Sequence, residues 1–254
     1  MDEKINTPSK NKVISSLIWK FLERGGVQGV QFVLSIILAR LVTPEDYGVI
    51  ALLLVFIQVA TVFIQSGFNT ALIQKKESDD LDFSSIFYLS FFVAGILYIV
   101  LFFTAPLVAS FYKSELLTTL LRVISITLFF GAINSVQNAY VSKTMQFRRF
   151  FFSSMGAVIG SGIVGIIMAY KGFGVWALVA QQLVRDFLIC VILWFTVKWR
   201  PKFVFSFERV KILFSFGSKL LVSSLLDTIF RNIYNLICDE YCVQNPKYHI
   251  HLRA

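Results

Sequence analysis

The chain has 254 residues, 56% of them hydrophobic and 15% charged, with a net charge of +9 and a mean hydropathy of +0.71. Soluble domains run at about 45–50% apolar and about 25% charged. The apolar residues here come in long blocks and not in a helical stripe, which excludes an ordinary soluble core. The basic excess is segregated by loop: Lys4, Lys10, Lys12, Lys75, Lys76, Lys143, Arg148, Arg149, Lys198, Arg200, Lys202, Arg209 and Lys211 fall on one side, and only Lys113 and Lys171 on the other. That is the positive-inside pattern; it places the N-terminus in the cytoplasm and argues against a nucleic-acid partner.

Residues 1–12 read as a polar cytoplasmic tail. The spans then follow at about 13–40, 47–73, 83–105, 116–140, 151–169, 175–197 and 212–237, joined by short loops. The turn after the first span carries its own start signal: Thr43 as N-cap, Pro44 at the first helical position, and Asp46 where an acid meets the orphan amides. So short a connection predicts that the first two spans lie side by side, antiparallel, and that later spans repeat the hairpin. Trp19, Trp176, Trp194 and Trp199 all fall near span ends, as an interfacial aromatic belt requires. Gly156, Gly160, Gly162 and Gly165 line the fifth span, the first two spaced as G-x-x-x-G, which predicts close approach of a neighbouring helix; a transport hinge is the rival reading. The segment Tyr47-Gly48-Val49-Ile50-Ala51-Leu52 is echoed by Phe173-Gly174-Val175-Trp176-Ala177-Leu178, a weak sign of an internal repeat. The polar start of the chain gives no cleavable signal peptide. Cys190, Cys238 and Cys242 form neither a disulfide framework nor a zinc spacing. The fold class is therefore all-α integral membrane, with about seven transmembrane helices in short-loop hairpins.

Three blocks carry a family resemblance. The first is Leu41-x-x-Pro44-Glu45-Asp46-Tyr47-Gly48, continuing to Gln65-Ser66-Gly67-Phe68 and Ala71-Leu72-Ile73-Gln74-Lys75-Lys76. The second runs from Gly172 to Leu183, with Trp199-Arg200-Pro201 after it, and the third is Leu213-Phe214-Ser215-Phe216-Gly217 with Arg231-Asn232. Together they resemble the polysaccharide transporter family, the Wzx-type flippases of lipid-linked oligosaccharides within the MATE-like superfamily. The resemblance covers roughly residues 13–237 and implies the N-terminal lobe of a MATE-like fold. Members usually carry two related lobes, so the loss of apolar pattern over residues 238–254 reads as a frameshift or premature stop. The resemblance implies a bacterial inner-membrane protein that carries polyprenyl-pyrophosphate-linked oligosaccharide for lipopolysaccharide, capsule or exopolysaccharide biosynthesis by alternating access. Its implied partners are the linked glycan, the lipid bilayer, and the polysaccharide polymerase and chain-length machinery.

An ionisable group inside a span costs about 2.5–3.5 kcal/mol at the helix centre, so each needs a reason. Lys20, Glu23 and Arg24 cluster in span one, with Lys20 and Arg24 one turn apart on a face. They either line an aqueous cavity that holds the pyrophosphate, with Arg24 as a multi-donor clamp, or snorkel to the cytoplasmic surface. Resemblance to lipid II flippases, with their first-helix arginines, favours Arg24. Span six carries Gln181, Gln182, Arg185 and Asp186; the last two point about 100° apart, which argues against a simple pair within the helix. They are read as cavity lining or as a buried pair between helices, and the resemblance supports Gln181 and Gln182 better than Arg185. Span seven carries Lys219, Asp227 and Arg231: Asp227 either neutralises Arg231 or binds a coupling proton or sodium ion. Arg40 and Arg122 are read as interfacial anchors.

No nucleophile elbow, HExxH, P-loop or metal spacing occurs, so the sequence reads as a transporter and not an enzyme, with no cofactor or metal. Rival readings are an inactive truncated remnant, a MATE-like cation-coupled drug exporter, and a membrane glycan polymerase or acyltransferase. The basic cavity candidates disfavour the exporter and the short loops disfavour the enzymes.

Overall fold

The structure is a computed structural model that describes residues 10–65, 69, 72–73 and 79–244, with side chains for 15–65, 69, 72–73, 79–211, 214 and 217–230. These residues form eight long or medium α-helices: α1 (Lys10–Leu41), α2 (Pro44–Gln65), α3 (Asp80–Phe111), α4 (Leu116–Ile124), α5 (Thr127–Thr144), α6 (Phe147–Tyr170), α7 (Val175–Thr196) and α8 (Phe207–Gln244). Six stretches of the described residues are long and apolar enough to cross a membrane: Ser15–Leu41, Pro44–Gln65, Asp80–Phe111, Leu116–Thr144, Phe147–Tyr170 and Val175–Thr196. The protein is an all-α integral membrane protein. The expected seventh span falls within α8, which is helical but not among those six.

Local chemistry places the α1–α2 boundary where the sequence predicts it. The Asp46 amide donates to Thr43 Oγ1 at 3.3 Å, and that hydroxyl donates to Asp46 Oδ2 at 3.0 Å, so Thr43 caps a helix opening on Pro44.

The expected side-by-side packing of α1 and α2 does not occur. Beyond the turn, where Leu38 and Val42 join the core with Ile50 and Leu53, the two helices share little contact. Instead α1 lies along α6, while α2 packs on α5 and α8. A two-residue connection fixes the ends of its helices, and side-chain size then decides where their arms go. The decisive surface is on α6: a methyl built on Gly162 would stand 2.5 Å from Leu34 Cδ1, and one on Gly26 of α1 would stand 3.1 Å from Met155 Cε. With no interhelical hydrophobic drive in lipid, such close approach sets the pairing. The opposite side of α6 meets α7, where Gly156 faces Ile192, Gly160 faces Leu188 and Gly165 faces Gln181. The fifth-span glycines thus serve close packing on two flanks at once.

The expected fourth span is two helices. At Ser125–Ile126 the Ser125 hydroxyl donates to the Leu121 carbonyl at 2.6 Å and the Thr127 hydroxyl to the Ile124 carbonyl at 2.7 Å. The neighbouring amides of Ile126, Leu128 and Phe129 bond three residues back, which tightens the turn.

The third span has a breaker within it, Pro106 in the 32-residue α3. Proline has no N–H for the carbonyl four residues back, Phe102. Arg122 of α4 supplies the missing donor, its Nε bonding the Phe102 oxygen at 3.3 Å while its guanidinium lies 4.1 Å from the Phe102 ring centroid. The sequence reading of Arg122 as an interfacial anchor misses this structural duty.

At the opposite end, residues 197–209 strap across the start of α3. Trp199 is buried against Phe83, Phe87 and Tyr140. The Lys202 and Ser206 amides donate to Ser84 Oγ at 3.0 Å and Ser85 Oγ at 3.1 Å. Lys202 pairs with Asp80 at 2.7 Å, and Arg209 reaches Asp82 at 3.7 Å and Asp79 at 3.9 Å.

Candidate functional site

The divergence of α1 and α2 defines the candidate site. One arm is α1 on α6, the other is α2 on α8, and α7 packs against both α6 and α2. The arms therefore part from the turn at Thr43 with α7 standing between them.

On the first arm the predicted trio divides. Lys20 Nζ lies 2.9 Å from Glu23 Oε2, and 4.9 Å and 5.4 Å from the Phe150 and Phe147 ring centroids of α6. Glu23 is buried. Arg24, the next residue, is exposed, as is Gln28 one turn on, on a helix whose other exposed residues include Leu17, Phe21 and Phe32. The i, i+3 spacing lets Lys20 neutralise Glu23 against the aromatic wall, which leaves Arg24 to present its charge outward.

On α7 the four polar residues are half-buried. Gln181 rests on Gly165, while Gln182 Nε2 donates to Asp186 Oδ2 at 3.2 Å. Arg185 Nε donates to Asp186 Oδ1 at 3.5 Å, so the pair the sequence reading argued against is formed. Helical geometry does set the two Cβ atoms about 100° apart, but the three-methylene stem of arginine spans that offset. The arrangement is a local network: one carboxylate, two donors on its own helix, and Asn134 of α5 donating to the Asp186 backbone oxygen at 3.1 Å.

On the second arm, Lys219 and Asp227 of α8 are exposed, and the Arg231 side chain lies outside the described residues, as does its expected pairing with Asp227. Arg40 is exposed near the C-terminal end of α1.

Sequence reasoning screened for ionisable groups inside the expected spans, the third of which starts at residue 83, and so missed two features. One is the amide seam of α5, where Asn134, Gln137 and Asn138 recur at i, i+3 and i+4; Gln137 is fully buried with both amide atoms unpartnered among the described residues. Amides at helical spacing within a span are the signal that would have found it. The other is Asp82, also fully buried, which accepts from the Asp79 amide at 3.1 Å and faces Arg209. Its partner is more than a hundred residues away, and no local pattern marks it.

Residues 37–244, which end with α8, match the profile of the polysaccharide biosynthesis protein family. The chain belongs to that family. Among curated relatives, it is 29% identical over 215 residues to the succinoglycan biosynthesis transport protein ExoT of Rhizobium meliloti, covering 83% of this chain and 44% of that one. It is 25% identical over 241 residues to the teichuronic acid biosynthesis protein TuaB of Bacillus subtilis, covering 92% and 49%. With the lipopolysaccharide biosynthesis protein WzxC of Escherichia coli it shares 20% over 230 residues, covering 90% and 47%. The chain thus spans about half the length of the curated relatives it matches. No solved structure matches it. In a membrane-spanning helix such as α1, a charged group exposed to lipid would cost about 2.5–3.5 kcal/mol at the helix centre.

Proposed function

We propose that this chain forms one lobe, residues 13–237, of an inner-membrane flippase that moves a polyprenyl-pyrophosphate-linked oligosaccharide between leaflets. The observation that carries the reading is Arg24: an exposed guanidinium on an apolar helix, flanked by Gln28 and released from local pairing because Lys20 answers Glu23. A planar, permanently charged fork suits a pyrophosphate. The names of ExoT, TuaB and WzxC place those relatives in succinoglycan, teichuronic acid and lipopolysaccharide biosynthesis, and ExoT in transport.

In this mechanism Arg24 takes the head group while the polyprenyl tail stays in the bilayer. Gln182, Arg185 and Lys219 contribute to the polar path between the diverging arms, and Asp227 exchanges a coupling cation as the arms rock. The N-terminus faces the cytoplasm, and the polymerase and chain-length machinery take the product. The chemistry is binding and translocation, with no bond made or broken.

The test is extraction of polyprenyl-linked oligosaccharide from a strain lacking this gene, with each leaflet sampled separately. Accumulation in the inner leaflet, reversed by the wild-type gene and not by Arg24→Gln expressed at the same level, is the expected result. Full complementation by Arg24→Gln overturns the assigned role of Arg24, and absence of accumulation overturns the flippase reading.

A further inference from the structure

The connection between α7 and α8 is both firmly anchored and unusually greasy on its outer side. Trp199 is packed in the aromatic box, and the Lys202 and Ser206 amides are tied to serines of α3. Between these anchors Phe203 is 99% exposed and Phe205 51%, and Phe207, which opens α8, is 74% exposed. An irregular segment with two aromatic rings held outward, and a third at the helix start that follows it, on a backbone fixed from behind, is a surface built to be covered.

Its position says by what. The Phe203 ring stacks on Tyr88 of α3, with centroids 6.3 Å apart. The half-buried Tyr88 leads into a row of exposed α3 side chains, Phe92, Ile96, Ile99, Phe103 and Leu107, that recurs at i+3 or i+4. That row is the flank a membrane helix turns to acyl chains, so Phe203 extends the lipid-facing surface at its very edge. Tyr88 stands eight residues beyond Asp80, about 12 Å along the helix from its charged start, where the exposed apolar row begins. Beside the rings, Lys198 and Lys211 are exposed and pair with no carboxylate among the described residues, while Lys202 is shared with Asp80. Arg200 is occupied in capping α7, donating to the Val197, Trp199 and Trp194 carbonyls.

We infer that residues 198–211 form an interfacial binding site for anionic phospholipid, in which Phe203 and its neighbouring rings enter the glycerol and upper acyl region and Lys198 and Lys211 hold the phosphate-bearing head group. Exposed rings and cations on one segment match the two chemical halves of such a lipid. The site does not depend on the transported substrate; it needs only that the chain be membrane-embedded.

The experiment uses the full chain, wild type and Phe203→Trp, in nanodiscs of phosphatidylcholine with or without phosphatidylglycerol, either lipid brominated near the top of its acyl chains. The added tryptophan is read as the difference from wild type. The expected result is quenching of that difference signal at a lower fraction of brominated phosphatidylglycerol than of brominated phosphatidylcholine. Lys198→Gln and Lys211→Gln should each cut the preference by about fivefold, and salt should weaken it. Circular dichroism confirms that each variant is folded, and a folded Phe203→Trp chain carries the test of insertion independently of the lysine variants. Equal quenching by both lipids, unchanged by the lysine substitutions, overturns the anionic site; no quenching by either overturns the insertion of Phe203.

Discussion

Arg122 offers the most discriminating test of how this fold is held together. Pro106 deprives the Phe102 carbonyl of its helical donor, and Arg122 Nε replaces it at 3.3 Å while stacking on the same residue's ring. Arg122→Met removes a hydrogen bond from a charged donor, about 1.5–3 kcal/mol, and a cation–π contact of about 0.5–2 kcal/mol. The bond is long, so a total of about 2–3 kcal/mol is expected. Pro106→Ala restores an amide four residues beyond Phe102, so in that background Arg122→Met should lose little more than the ring contact. The two substitutions should therefore couple by about 1–2 kcal/mol, well above the roughly 0.5 kcal/mol scatter of independent sites. The assay is reversible denaturant unfolding in mixed micelles of wild type, both single variants and the double. Additive effects would refute the claim that the arginine is there to satisfy the carbonyl freed by the proline.

Three further outcomes follow from the packing. Gly174 caps α7 at φ +52° and ψ −127°, and a methyl there would lie 3.0 Å from Asp46 Oδ2, so Gly174→Ala should cost about 1–3 kcal/mol, with Asp46→Ala restoring only the steric part; thermal unfolding of the pair checks this. Gly162→Leu should wedge α1 from α6 and cost about 1–3 kcal/mol, partly recovered by Leu34→Ala, and an unchanged melting temperature in the single variant would contradict the assigned contact. Asp82→Asn should loosen the strap that brings Arg209 onto α3, at about 1–3 kcal/mol, read as faster trypsin cleavage at Arg209 and Lys211; unaltered cleavage kinetics would show that the ion pair does not hold α8 in place.

Much of the architecture was legible because membrane helices announce themselves by length and composition alone. Backbone groups in lipid must be bonded within their own segment, so an apolar run of bilayer length has one available structure. Thr43, Pro44 and Asp46 were legible for a similar reason: an N-cap is a bond between residues three apart, which the sequence displays directly. The break at Ser125–Ile126 was not, since serine and threonine occur in unbroken membrane helices too, and whether their hydroxyls bend the chain depends on rotamer and neighbours. In the candidate site, the polar residues on α1, α7 and α8 stood out against their apolar surroundings, but their division of labour did not.

The sequence by itself determined that the chain is built of apolar helices of membrane length and where the first turn caps, because each of these is a local matter of hydration and hydrogen bonding. Tertiary structure alone decided that α1 leaves α2 for α6, that Lys20 is answered by Glu23 so that Arg24 is exposed, and that Arg122 is committed to a carbonyl twenty residues away. Those outcomes turn on which surfaces approach closely enough for van der Waals contact and short-range bonds, and in a uniformly apolar solvent nothing in the hydrophobic pattern of one helix names its neighbour.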